Sequence, residues 1–335
     1  MPVRCKAANS KGKRCKSVAL QGEEFCKDHL RLKLRGTVKK PPFYQRGSFV
    51  VSSVVLGILL ALYFGLRSLT KEDILKLPTE IQMRGIIEES FRPEPFDKIK
   101  ESIGKSYPEV GQDIWNTLES AFRALDKWQL PVAESLYKAL VTVLPKSAEL
   151  HFNLASALAF QNKFDSALNE LKEAVSIKPE YANAHNSLGI IYHVKGRIRE
   201  STVEYRMASQ LDSLHVFAFH NLGLILVEQD SLKESIPPLK RAIELYPDFA
   251  DAHHALGVSL AKLNRFREAE DEFRIAIGVD SSDSWARYNL GTALLLQGKV
   301  EESIIELQKA ATQNPKDTLA KHNLLIALEQ RRVSN

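Results

Sequence analysis

Small and large apolar positions return every 34 residues between 114 and 317, six times over, with no insertion or deletion. Counting residue 182 as position 1, position 8 is always small: Ala121, Ala155, Gly189, Gly223, Gly257 and Gly291. Position 7 is Leu154, Leu188, Leu222, Leu256 and Leu290, with Ser120 in the first unit. Position 20 is small again (Ala133, Ala167, Ser201, Ser235, Ala269, Ser303), and position 24 is large (Tyr137, Leu171, Tyr205, Leu239, Phe273, Leu307). Position 27 is alanine in every unit but the first, which has Leu140. Positions 7 and 11 fall on one face of a first helix, and positions 20, 24 and 27 on one face of a second. The small columns predict close approach of the two helix backbones, and the large residue at 24 is expected to fill the space between units.

Pro145, Pro179, Pro247 and Pro315 at position 32 end the second helix and start the turn to the next unit; Ser213 and Ser281 stand there in the other two. One helix pair cannot bury its apolar stripe alone, so the units must stack. These columns resemble the tetratricopeptide repeat pattern. The resemblance implies an all-α solenoid of six repeats, at 114–147, 148–181, 182–215, 216–249, 250–283 and 284–317. Residues 318–335 keep Leu324 and Leu328 and then turn polar at Glu329-Gln330-Arg331-Arg332, which predicts a capping helix. The first unit departs most from the pattern, as a terminal repeat does. Pro237 and Pro238 lie inside the second helix of the fourth unit and predict a kink or a late start there.

The resemblance also implies that first helices line a concave face. Asn153, Asn221, Asn289 and Asn323 share position 6, and Asn186 lies one place earlier. Arrays of the O-GlcNAc transferase and kinesin light chain types bind the backbone of an extended peptide with such a ladder, since one amide supplies both a donor and an acceptor. The other reading is that these asparagines help pack the turns. Neighbouring positions hold Phe217, His220, His254 and Tyr288 and few basic residues, which favours an extended partner with apolar side chains over a clamp on a terminal carboxylate. His151, His185, His253 and His254 recur at positions 4 and 5 and are read as helix-surface groups rather than metal ligands.

Charge divides the rest of the chain. Residues 1–46 hold 13 Lys or Arg against 3 Asp or Glu, and no charge lies between Arg46 and Arg67. The apolar run 47–66 spans roughly 30 Å as a helix, the thickness of a hydrocarbon core. It is read as a retained transmembrane helix. A cleaved signal peptide fits less well, because the run starts late and no small-x-small site follows. The 16 residues before it carry six Lys or Arg, and the 16 after it carry three with three acids. The basic arm is therefore expected in the cytoplasm and the repeats across a cell (inner) membrane, in the periplasm or outside. Ser53, Gly57, Ala61 and Gly65 recur every four residues and form a face for a homodimer of such helices. Residues 67–113 read as a stalk, with a short amphipathic helix at 80–90 interrupted by Arg92-Pro93-Glu94-Pro95.

All three cysteines lie in the arm. Cys5, Cys15, Cys26 and His29 are the donor types of a closed tetrahedral zinc site. Their setting, from Arg4-Cys5-Lys6 through Gly12-Lys13-Arg14-Cys15 to Phe25-Cys26-Lys27-Asp28-His29, resembles a small bacterial and phage-type zinc module with three Cys ligands and one His. Three unrelated thiols in a basic tail is the alternative. No aromatic platform accompanies the basic residues, so nucleic acid is not the expected partner.

The chain shows no HExxH, no phosphate-binding glycine loop and no dinucleotide fingerprint. Ser102-Ile103-Gly104-Lys105 matches S-x-x-K without its companion motifs. An enzyme is not expected. Two functions stand: a membrane-anchored scaffold that holds extended peptides or protein partners in its repeats, and a transmembrane regulator whose zinc arm contacts nucleic acid or a cytosolic protein while the repeats sense a partner.

Overall fold

The structure, a computed structural model, describes residues 91–334. Fourteen helices and no strand occur among the described residues. Helix α1 (Phe96–Ser106) precedes six helix pairs: α2 (Gln112–Asp126) and α3 (Leu130–Val143), α4 (Ala148–Ala159) and α5 (Phe164–Ile177), α6 (Ala182–Val194) and α7 (Ile198–Leu211), α8 (Val216–Glu228) and α9 (Leu232–Leu245), α10 (Ala250–Lys262) and α11 (Phe266–Val279), and α12 (Ser284–Leu296) and α13 (Val300–Gln313). Helix α14 (Thr318–Ser334) ends the array, and its residues 329–332 are exposed. The run 47–66, the small-residue face within it, the helix read at 80–90 and the zinc arm lie outside the described residues. Among the described residues no helix is long and apolar enough to cross a membrane.

The two helices of each repeat are joined by a turn whose fifteenth position has positive φ: Trp128 (58°), Asn162 (59°), Gly196 (70°), Asp230 (58°), Asn264 (62°) and Gly298 (76°). Only glycine and, less readily, Asn or Asp adopt this conformation at low cost. The next residue donates back to the closing helix, as in Lys163 N to Leu158 O (2.9 Å) and Arg265 N to Leu260 O (2.9 Å), a Schellman closure of the orphan carbonyls. Between repeats, proline stops the second helix where it is present. Where serine replaces it, the preceding Asp takes over. Asp212 Oδ1 accepts Leu214 N–H and Asp280 Oδ1 accepts Ser282 N–H, both at 2.9 Å, turning the chain as α7 and α11 end.

Position 24 lies against position 8 of its own repeat, a contact the sequence did not suggest, and at Tyr137 it also reaches Asn153 of the next repeat, as the sequence suggested. A Cβ added to Gly189 would lie 2.5 Å from the Tyr205 ring, one at Gly257 2.6 Å from Phe273, and one at Gly291 2.6 Å from Leu307. The glycines let each helix pair close over a large side chain that is 0–1% exposed. Helix α9 does not start late. It begins at Leu232, in phase with the other repeats, and runs through Pro237 and Pro238. The two carbonyls that lose their i+4 donors, at Lys233 and Glu234, belong to exposed residues.

Residues 91–107 do not form a free stalk. Ile99 and Ile103 are fully buried, Phe96 meets Phe122 of α2 edge to face, and Ser102 Oγ donates to Glu149 Oε2 of α4 at 2.9 Å. The Tyr107 hydroxyl accepts Lys146 N–H at 2.8 Å. Helix α4 is consequently buried on every residue from Ala148 to Ala159.

Candidate functional site

The first helices α4, α6, α8, α10, α12 and α14 carry the residues singled out from the sequence, and from α6 onward each touches the next. Asn153, Asn186, His220, Asn221, His254, Tyr288, Asn289 and Asn323 are all buried, at 0–2% exposure, and Phe217 is half-buried. The asparagines at position 6 reach back to position 5 of the preceding repeat. Asn221 Nδ2 donates to Asn186 Oδ1 (3.0 Å), Asn289 Nδ2 to His254 Nε2 (2.7 Å), and Asn323 Nδ2 to the Tyr288 hydroxyl (3.2 Å) and to Thr292 Oγ1 (3.0 Å). Every partner stands one repeat away, so the amides stitch repeat to repeat. His254 then carries its proton on Nδ1, 3.4 Å from Asp283 Oδ2, while Asp283 also caps α12 through Trp285 N–H and Ala286 N–H. Burial works against the Asp283 carboxylate, but His254 and the two amide donors outweigh it and hold its pKa below the usual value.

Not every polar atom of the ladder is used. Asn186 Nδ2, His220 Nε2 and Asn289 Oδ1 are buried without a hydrogen-bond partner among the described residues. Burial pushes the His220 imidazole down to about 4, so it is neutral at physiological pH. Its ring stacks at a tilt on Phe249 (4.5 Å), which also meets Phe217 edge to face at 5.8 Å. Unpaired donors and acceptors inside an apolar wall carry a desolvation cost.

Asn153 differs from its neighbours. Its Nδ2 donates to the Tyr137 hydroxyl (3.2 Å), and its Oδ1 accepts the backbone N–H of Glu94 (3.1 Å). The amide grips an extended main chain, and that main chain is the protein's own segment 91–95. The Glu94 side chain is 2% exposed and accepts from Asn183 Nδ2 (2.8 Å) and Lys98 Nζ (2.8 Å). Burial, and next the Glu94 charge, push the Tyr181 hydroxyl well above its usual pKa.

The histidines at position 4 form a second constellation that the sequence did not resolve. His151, His185 and His253 place Nδ1 2.7, 2.7 and 2.6 Å from Glu170, Glu204 and Glu272, and Nε2 3.1, 2.8 and 3.0 Å from the carbonyls of Pro145, Pro179 and Pro247. Both neighbours of each ring accept, so the geometry calls for a doubly protonated imidazole. Arg287 fills the same place in the sixth repeat, with Glu306 (3.0 Å) and the Ser281 carbonyl (3.3 Å). These are clasps between the two helices of a repeat. Among the described residues no group of three or more His, Cys, Asp or Glu could hold a metal ion.

Residues 157–196 match a family model described as TPR repeat, and residues 220–277 and 254–318 match one described as Tetratricopeptide repeat. The solved structure titled YrrB, a TPR protein with an unusual peptide-binding site, is 26% identical, covers 56% of this chain and 96% of its own, and superposes with a TM-score of 0.51. PilF of Pseudomonas aeruginosa is 15% identical over 62% of this chain and 95% of its own, with a TM-score of 0.56, and shows the shared fold. Among curated proteins none matches this chain.

Proposed function

We propose that this array of tetratricopeptide repeats is a membrane-anchored scaffold that holds an extended segment of a protein partner on the face of its first helices. The bond from Glu94 N–H to Asn153 Oδ1 carries the reading, because it is the interaction a peptide backbone makes with such an amide. The buried and unpartnered Asn186 Nδ2, His220 Nε2 and Asn289 Oδ1 extend the same chemistry along the array. YrrB, similar over most of its own length, is titled for its peptide-binding site. The anchor is the uncharged run 47–66, and the excess of Lys and Arg ahead of it orients the repeats to the far side of the membrane.

A photo-crosslinking amino acid in place of Phe217, in the full-length chain within intact cells, is expected to capture a partner polypeptide. The same group in place of Val203, 62% exposed on α7, is expected to capture none. Protease added to right-side-out spheroplasts of those cells should remove the crosslinked body. Equal capture at both positions defeats the binding reading, and a protected body defeats the orientation.

The arm is proposed to hold zinc through Cys5, Cys15, Cys26 and His29, whose three thiolates and one imidazole suit a closed site. Purified full-length protein should carry zinc that Cys26→Ser removes; unchanged zinc in that variant refutes the assignment.

A further inference from the structure

Phe91-Arg92-Pro93-Glu94-Pro95 lies against α4 and the start of α6 in the manner of a bound ligand. Pro95 stands at φ −55° and ψ 137°, in the polyproline region. Each proline disfavours the helical region for the residue before it, so the sequence biases residues 92–95 towards a polyproline-like conformation before the segment docks. That helix has three residues per turn, which puts residues 91 and 94 on one side. The burial follows: Phe91 and Glu94 are 0% and 2% exposed, while Arg92 and Pro95 face solvent. Phe91 meets Phe160 edge to face at 6.3 Å, and Phe160 is backed by Trp128 at 4.9 Å. One turn on, Asn153 takes the Glu94 N–H and Asn183 donates to its carboxylate. Between Pro93 and Pro95 the Glu94 amide is the single main-chain donor, and it is satisfied. An aromatic pocket, a backbone acceptor and a carboxylate donor thus stand at the spacing of one polyproline turn.

We propose that this surface recognises extended, proline-stiffened partner segments with an aromatic residue three places ahead of a carboxylate, and that the chain's own residues 91–95 occupy it in cis as a strap. The proposal rests on the peptide-scaffold reading and names the partner's chemistry. A partner enters by displacing the strap, which competes from an effective concentration near millimolar because it is tethered. Among the described residues the cation paired with the Glu94 carboxylate is Lys98, from the strap's own helix. The array contributes neutral donors there, so a partner's acid binds by hydrogen-bond geometry rather than by a charge clamp.

The test is a titration of fluorescent Phe-Arg-Pro-Glu-Pro peptide into the full-length protein, its Phe91→Ala/Glu94→Ala variant, and that variant with Asn183→Ala added. The double variant, with its pocket empty, is expected to bind at least about tenfold more tightly than wild type. A peptide with Gln for Glu, and the Asn183→Ala background, should each weaken binding by about tenfold. In the wild type, excess peptide should speed hydrogen exchange of the Glu94 amide, a measurement that decides the matter if the double variant does not fold. Failure of the double variant to bind, or equal binding of the Glu and Gln peptides, overturns the recognition rule. Equal affinity in wild type and double variant, or an unchanged Glu94 exchange rate, overturns cis occupancy. Crosslinking from Phe217 is read independently, so a partner captured there with no peptide bound here sinks the rule and leaves the scaffold standing.

Discussion

Gly257→Leu is expected to lower the stability of the array by about 3 kcal/mol, at the upper end of what overpacking costs. An added Cβ alone would lie 2.6, 2.7 and 3.1 Å from Cε1, Cδ1 and Cζ of Phe273. Atoms do not approach that closely, so the ring or the helix must move. The ring has little freedom: it is 0% exposed, and the His254 imidazole stands edge-on to it at 5.8 Å. His254 in turn accepts from Asn289 of the next repeat, so a displaced ring disturbs the stitch between repeats 5 and 6. In a linear array each repeat is supported only by its neighbours, and damage at an inner one uncouples the two sides. Urea unfolding followed by circular dichroism should therefore turn from a single transition into two. In a Phe273→Ala background the same leucine fills the vacated volume and should cost less than about 1 kcal/mol, a coupling that a double-mutant cycle measures. If Gly257→Leu shifts the midpoint no further than the exposed control Val203→Leu, the close helix approach is not what glycine serves at this column.

The columns that made the repeats legible are those in which side-chain size is dictated locally. Gly or Ala at position 8 and a large residue at 24 meet within one helix pair, so a 34-residue period exposes them without any knowledge of stacking. The amides behave differently. Asn221 finds Asn186, and Asn289 finds His254, 35 residues back, and that separation gains meaning only once the repeats are stacked. The histidine clasps were written more openly than they were read. Columns 4 and 23 pair His with Glu three times and Arg with Glu once, and the fourth repeat loses both partners together, to Phe219 and Pro238. Helix α1 also had its signals: Pro95 before it, Asp97 in its first turn, and Phe96, Ile99 and Ile103 at helical spacing. Its shortness between two prolines made a linker the simpler reading. What covers α4 could not be inferred, because nothing in a period identifies the segment outside it that lies on one of its units.

Thermal stability of the array is expected to fall as pH rises above neutrality, and the three clasps set the sign. Burial opposes charge on His151, His185 and His253, but the carboxylates of Glu170, Glu204 and Glu272 and the proline carbonyls outweigh it and raise all three pKa values. A raised imidazole contributes stability that is fully present below its unfolded value of about 6.5 and is lost as pH passes through the higher folded values. His220 and His215 act in the opposite sense. Burial depresses both, His220 to about 4, so their contribution is present above about 6.5 and lost as pH falls towards the folded values. The melting temperature should consequently peak near pH 6.5, with an alkaline arm belonging to the clasps and an acid arm to the buried neutral rings. Each clasp loses one charge-assisted bond on deprotonation, so at about 1 kcal/mol each the alkaline arm amounts to roughly 3 kcal/mol, or about 8 °C for a body of this size. Arg287 shows the remedy within the same molecule, a permanent cation on Glu306 and the Ser281 carbonyl. The triple variant His151→Arg/His185→Arg/His253→Arg should flatten the alkaline arm and leave the acid arm in place, and His220→Phe should shrink the acid arm to the share of His215 and leave the alkaline arm in place. Calorimetric scans from pH 5 to 9 separate the two, and an alkaline arm that survives the triple variant would assign the loss to groups other than the clasps.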